Sequence, residues 1–146
     1  HFSPTPPGPA IRAYREHFRP SAQFPAPHVI RGVSISCAPT AEEADYLGSS
    51  SDLGWVRLHP REFLPLPSPE EARRYEYSPQ ERVVVEMNRS RHFIGTSETV
   101  ANMIRNIAPV TEVNVVMITS TVFGRMERFR CYELIAKEFG MTAELA

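Results

Sequence analysis

Side chains capable of chemistry are few in this sequence, and their spacing excludes most common catalytic designs. Cys37 and Cys131 each stand alone, with no partner two residues along to make a CxxC metal or redox pair. His59 and His92 are isolated imidazoles without ligand spacing, and no HExxH, P-loop, GxGxxG or GxSxG pattern occurs. Metal hydrolysis, phosphate cradling by a glycine loop and serine-hydrolase chemistry therefore find no support. Cys37 falls in an alternating segment and Cys131 in an amphipathic one, neither beside a base, so both read as buried inert thiols. Arg125, Arg128 and Arg130 could grip a phosphate, but they lie inside a helical pattern interleaved with Glu127 and Glu133 and read as a solvated face. Trp55 either packs in the core or belongs to a lid with the proline-rich stretch after it.

Chemistry in such a chain falls to side chains held at the ends of regular elements. From His28 to Cys37, Val29, Val33, Ile35 and Cys37 alternate with Gly32, Ser34 and Ser36, which predicts a strand with one apolar face. Val113 to Ile118 is apolar but for Asn114 and rich in β-branched residues, which predicts a second strand covered on both faces. Ile11, Tyr14 and Phe18 mark one helix face closed by Pro20, after a run from Pro4 to Pro9 that cannot be helical inside. Thr40 with Glu43 signals another helix start, of open length because Gly48, Ser49 to Ser51 and Gly54 all weaken helix. Prolines 60, 65, 67 and 69 predict an extended connection from His59 to Pro69. Ser78, Pro79 and Glu81 open a further helix. Thr96 caps one that carries Val100, Met103, Ile104 and Ile107 and is ended by Pro109. Met126, Phe129, Tyr132, Ala136 and Phe139 share one side of the last helix, which Gly140 stops. Strands followed by helices, with no hairpin signal between them, give an α/β fold with parallel pairing.

Composition narrows the partners. Sixteen Lys and Arg against 17 Asp and Glu leave a net charge of −1, too little to collect nucleic acid or an anionic membrane surface. No apolar run reaches the roughly 18 residues of a membrane span, and two cysteines build no disulfide framework, so a reducing cytoplasm is expected. The first residue is His1, not Met, so the sequence is expected to be a piece of a longer protein. Two parallel strands cannot cover each other's faces and edges. A closed (β/α)8 barrel takes about 250 residues, so this chain would be only its last part. It is expected to be oligomeric or completed by another chain.

Three stretches carry a family resemblance. They are His1-Phe2-Ser3-Pro4 leading to residues Arg12 to Ser21, then Phe93-Ile94-Gly95-Thr96-Ser97-Glu98-Thr99-Val100, then Val116 to Ser120 followed by Arg128 to Ala136. In order and spacing they resemble the C-terminal region of bacterial-luciferase-like flavin-dependent monooxygenases. The resemblance implies a partial (β/α)8 TIM barrel, one incomplete domain over residues 1–146 from the end of the sixth strand through the last helix. The strand at 28–37 is then the seventh and the run at 113–118 the eighth. The implied cofactor is reduced flavin mononucleotide (FMN), supplied by a flavin reductase and reacting with molecular oxygen to oxygenate a small organic substrate. Where many relatives carry His, Tyr, Asp and His after the last strand, this sequence has Thr121, Phe123, Gly124 and Arg125, which removes titratable groups from the rim.

Barrels of this class work at the C-terminal ends of their strands, which singles out four residues for cofactor binding: His1, Phe2, Ser120 and Thr121. The hydroxyls of Ser120 and Thr121 could donate to a flavin carbonyl or phosphate, or cap the following helix. His1 could position substrate or shuttle a proton, and Phe2 could pack on an isoalloxazine ring or simply in the core. No catalytic residue is identified, and the isolated chain is expected to be inactive. The competing expectation is a non-catalytic, degenerate module for flavin binding or subunit association.

Overall fold

A computed structural model of the chain describes residues 5–58, 64–111 and 113–141. Their elements run in the order α1 (Gly8–His17), β1 (Ile30–Cys37), α2 (Ala41–Leu58), α3 (Pro69–Arg74), α4 (Pro79–Arg89), β2 (His92–Gly95), α5 (Ser97–Thr111), β3 (Val115–Thr119) and α6 (Arg125–Glu138). The three strands form one parallel sheet in the order β2-β1-β3. The two strands expected from sequence are therefore neighbours running the same way, with Val33 opposite Ile118 and Arg31 opposite Val116. The described sheet is open and not closed into a barrel, and β2 and β3 are its edges.

The third strand corrects the expectation of two. Residues 92–95, for which no strand is expected from the sequence, pair with Ser34–Cys37. Four residues are too few to show a period of two, and their extended form is imposed by the β1 backbone beside them. Gly95 closes this strand at φ +156°, and a Cβ there would come within 3.1 Å of the Thr99 side chain as the chain turns into α5. The run at 113–118 is also less covered than its composition suggests. Val115 and Met117 are exposed, because β3 has a neighbour on one edge alone and α6 and α5 on one face alone.

The apolar face of β1 forms the main core. Val33, Ile35 and Cys37 pack against Val100, Ile104 and Ile107 of α5 and Cys131 and Ile135 of α6. Each such buried Val or Ile side chain stabilises the fold by about 1.5–3 kcal/mol. In α6 the buried side is set by Cys131 and Ile135, while Met126 and Phe129 of the expected apolar stripe are exposed. The helix is turned by its contact with the sheet, not by its own weak apolar pattern.

The opposite face of the sheet carries α2. Its serines and glycines weaken helix in isolation, yet the helix runs unbroken to Leu58 because small side chains let it sit close on the sheet. A Cβ at Gly48 would lie 2.8 Å from Ile94 Cδ1, so the helix approaches the sheet closely enough there that a larger residue would make the Ile94 side chain shift. Leu47 and Ala44 join Ala38 and Val122 in a second cluster, and Leu53 and Val56 join Ala72 in a third. Charge ties these helices together: Arg89 holds Asp45 at 2.6 Å and the buried Asp52 at 2.7 Å, and Arg73 also reaches Asp45.

Prolines mark boundaries differently from the expectation. Pro69 does not extend the connection but opens α3, behind Ser68, whose side chain accepts the Glu71 backbone N–H. Residues 59–63 of that stretch lie outside the described residues. Helix α1 begins within the first proline run, with Pro7 as its cap, since proline needs no donor in a first turn. Helix α5 continues past Pro109 to Thr111, which corrects the expectation that the proline ends it. At Ser78 the expected capping box is complete: its side chain accepts the Glu81 N–H and Glu81 accepts the Ser78 N–H.

Candidate functional site

β1 and β2 end side by side at Cys37 and Gly95, β3 ends at Thr119 opposite Ser34, and the polar residues of the sheet gather on the face turned away from α5 and α6. Ser34 is in register with His92 on one side and with Thr119 on the other, so the three stand abreast as a polar rung across the whole sheet. One residue further along this face, the Ser36 hydroxyl lies 3.0 Å from His92 Nε2. His92 is buried and Nδ1 has no hydrogen-bond partner. Burial, with a contribution from the nearby Arg89 cation and partial opposition from the Ile35 backbone, pulls its pKa down to about 4. At neutral pH it is an uncharged imidazole that can exchange hydrogen bonds but has no proton to give as a general acid.

One cavity lies at this rung and a second adjoins it. A small one of about 140 Å³ is lined by Ser34, His92 and Thr119 together with Trp55, Asn88, Arg91 and Thr121. A larger one of about 350 Å³ is lined by Ser51, Gly54, Trp55, Leu58, Leu64, Leu66 and Thr121. Trp55 and Thr121 border both. The Arg91 guanidinium carbon lies 5.6 Å from the centre of the Trp55 ring, within range for cation–π attraction. Thr119 donates to the Val33 carbonyl, and Thr121 reaches Ser51 Oγ at 3.4 Å.

Of the four residues expected from sequence, the structure brings one to this place. Thr121 lines both cavities just beyond the C-terminal end of β3. Ser120 points elsewhere: it is buried, its backbone N–H donates to the Tyr132 hydroxyl at 2.9 Å, and it borders neither cavity. The reason is strand alternation, which sends neighbouring side chains to opposite faces. His1 and Phe2 lie outside the described residues. Sequence reasoning missed Ser34, His92, Trp55 and Arg91 as a group. The alternation placed Ser34 on the polar face, but nothing in the sequence gave the register that sets His92 beside it.

The cysteines are buried, as expected, but they meet. The Cys37 backbone N–H donates to Cys131 Sγ at 3.2 Å, joining the end of β1 to α6. The Cys131 side chain beside it and burial raise the Cys37 pKa, while hydrogen bonding from Cys37 lowers that of Cys131 against the opposing effect of burial. Of the arginine run, Arg130 makes an exposed ion pair with Glu43 at 3.5 Å and Arg125 lies over the Phe129 ring, in keeping with a solvated face. Among the described residues no helix is long and apolar enough to cross a membrane.

The residues around Thr121 suit part of a flavin. Trp55 offers a flat aromatic surface, the hydroxyls and Arg91 offer donors for carbonyl or phosphate oxygens, and the unpartnered Nδ1 of His92 is one more polar atom beside the cavity. The larger cavity, of about 350 Å³, is near the lower end of the roughly 300–1,000 Å³ usual for small-molecule sites.

Comparison with known proteins agrees with this architecture. No family model matches the chain. The crystal structure of apo-MsnO8 has the same fold, with a TM-score of 0.77 and 23% identity over 92% of this chain and 41% of its own. Among curated proteins, YceB of Bacillus subtilis is 35% identical over 130 residues, 89% of this chain and 39% of its own length. YvbT of the same organism is 32% identical over 139 residues, 93% of this chain and 40% of its own. A luciferase-like monooxygenase of Escherichia coli is 27% identical over 134 residues, 92% of this chain and 40% of its own. The chain thus spans about 40% of the length of the curated relatives it matches. Over about nine-tenths of its length the chain is similar to part of these proteins, the Escherichia coli luciferase-like monooxygenase among them.

Proposed function

We propose that this chain forms the C-terminal share of a monooxygenase that uses reduced FMN and molecular oxygen on a small organic substrate. The observation that carries the reading is the alignment of about nine-tenths of the chain with the Escherichia coli luciferase-like monooxygenase. The cavity geometry supports it, since Thr121, just beyond the C-terminal end of β3, lines both cavities together with Trp55, and barrels hold their ligands at such strand ends. Reduced flavin bound there supplies two electrons, so that one atom of oxygen enters the substrate and the other leaves as water while the flavin is oxidised. The chain's own residues bind and orient. Trp55 packs against a flat ring, Thr121 and Thr119 donate or accept at polar edges, and the neutral His92 offers a hydrogen bond without adding charge. With no acid or base poised near neutral pH in the described site, turnover needs residues from outside this 40% share.

The test is titration of the 146-residue chain with FMN, following flavin fluorescence and the thermal midpoint. Saturable quenching with a raised midpoint, weakened in Thr121→Val, supports the reading. No change in either signal removes flavin binding from this chain. Oxygen-dependent turnover is expected only when the remaining part of the barrel is supplied. A second reading, association with another subunit, is favoured by the edge strand β3 with its exposed Val115 and Met117. A monomer by sedimentation at micromolar concentration would count against it.

A further inference from the structure

At the other end of the strands lies a third cavity, of about 240 Å³, lined by Thr5, Pro6, Pro7, Arg31, Gly32, Val33, Ser90, Arg91 and Phe93. Two arginines border it and none of its lining residues is acidic. Arg31 is near the start of β1 on the face that carries the apolar core, where burial draws its pKa below the ordinary arginine value. Among the described residues no carboxylate pairs with Arg31, and its Nε is buried without a hydrogen-bond partner. A half-buried, unpaired cation is costly, and a second guanidinium at the same cavity adds repulsion. Both penalties are relieved by one anion between them. Ser90 and Thr5 add hydroxyls to the wall, and Gly32 removes a side chain from it. A lining with two arginines and no carboxylate suits the tetrahedral or planar oxygens of an oxyanion, which arginine recognises through paired N–H groups.

We propose that the Arg31–Arg91 cavity is a binding site for a small oxyanion of the phosphate class, separate from the site around Thr121 and joined to it through Arg91. Arg91 borders this cavity and the smaller cavity of the rung, and its guanidinium also lies over Trp55. An oxyanion that draws Arg91 toward Arg31 loosens its contact with the indole. Because Trp55 is the single tryptophan in the chain, its fluorescence reports the event directly.

The experiment is titration of the chain with inorganic phosphate, with sodium chloride at matched ionic strength as the control, read by Trp55 fluorescence and thermal midpoint. The expected result is a saturable change with phosphate and none with chloride. Arg31→Gln is expected to weaken the response at least about tenfold while circular dichroism stays unchanged, and Arg31→Lys to weaken it less. FMN and riboflavin form a second arm. If saturating phosphate weakens FMN binding but not riboflavin binding, the site takes the phosphate of the flavin; if it weakens neither, the site takes a free oxyanion. Absence of a saturable phosphate response, or an Arg31→Gln response equal to that of the parent chain, overturns the proposal. Neither result depends on flavin binding, so failure here and failure of the monooxygenase reading are told apart.

Discussion

Replacing His92 with glutamine should flatten the acid sensitivity of this fold. In the folded chain the His92 pKa is held at about 4 by burial, whereas an unfolded chain has the ordinary value of 6.5. Above pH 6.5 both states carry a neutral ring, and the residue makes no pH-dependent contribution. Between pH 6.5 and 4 the unfolded chain binds a proton that the folded chain refuses, so stability falls as pH falls. The slope is roughly 1.4 kcal/mol per pH unit, and the total loss is about 3 kcal/mol once the pH is below both values. His92→Gln keeps a hydrogen-bonding group near the Ser36 hydroxyl and removes the titration. Urea unfolding of both proteins at pH 7.0, 5.5 and 4.5 isolates the effect, because every other titrating group is common to the two. The gap between the parent chain and the variant is expected to shift by 2–3 kcal/mol against the parent on going from pH 7.0 to 4.5. A gap that stays constant across that range would refute a buried neutral imidazole. It would equally remove the reason to place an uncharged hydrogen-bonding ring in the polar rung.

Two further substitutions test what holds α2 and the strands in place. Arg89→Met leaves the buried Asp52 carboxylate without its ion-pair partner and should cost about 2 kcal/mol, less than for a fully enclosed pair because the arginine side chain is 38% exposed. Adding Asp52→Asn to it should recover part of the loss, measured by chemical unfolding. Gly95→Ala forces a side chain onto a backbone at φ +156° and against Thr99, and should lower stability by about 1–3 kcal/mol, visible as a lower thermal midpoint. An alanine variant as stable as the parent would show that the turn into α5 relaxes freely.

Much of the architecture is written in local pattern. Alternation from Val33 to Cys37 gave β1 and its core face, Ser78 with Glu81 gave the start of α4, and the β-branched run gave β3. Parallel pairing followed from the absence of hairpin signals, and the family resemblance rested on short stretches read in order. What could not be read locally is whatever a neighbour imposes. Strand β2 is extended because β1 lies beside it, and α2 stays helical through Gly48 and its serines because it is pressed on the sheet. The site divides in the same way. Thr121 was legible as a residue after a strand, a position fixed by chain order. Ser120 was lost from the site because alternation and the Tyr132 hydroxyl turn it aside. His92, Ser34 and Thr119 come together through the register of strands 58 and 85 residues apart along the chain, and Trp55 and Arg91 through the seating of a helix. Sequence determines which faces are apolar, since that is a matter of period. Only the tertiary structure decides which polar faces meet, because strand register and helix seating are set by packing between distant segments.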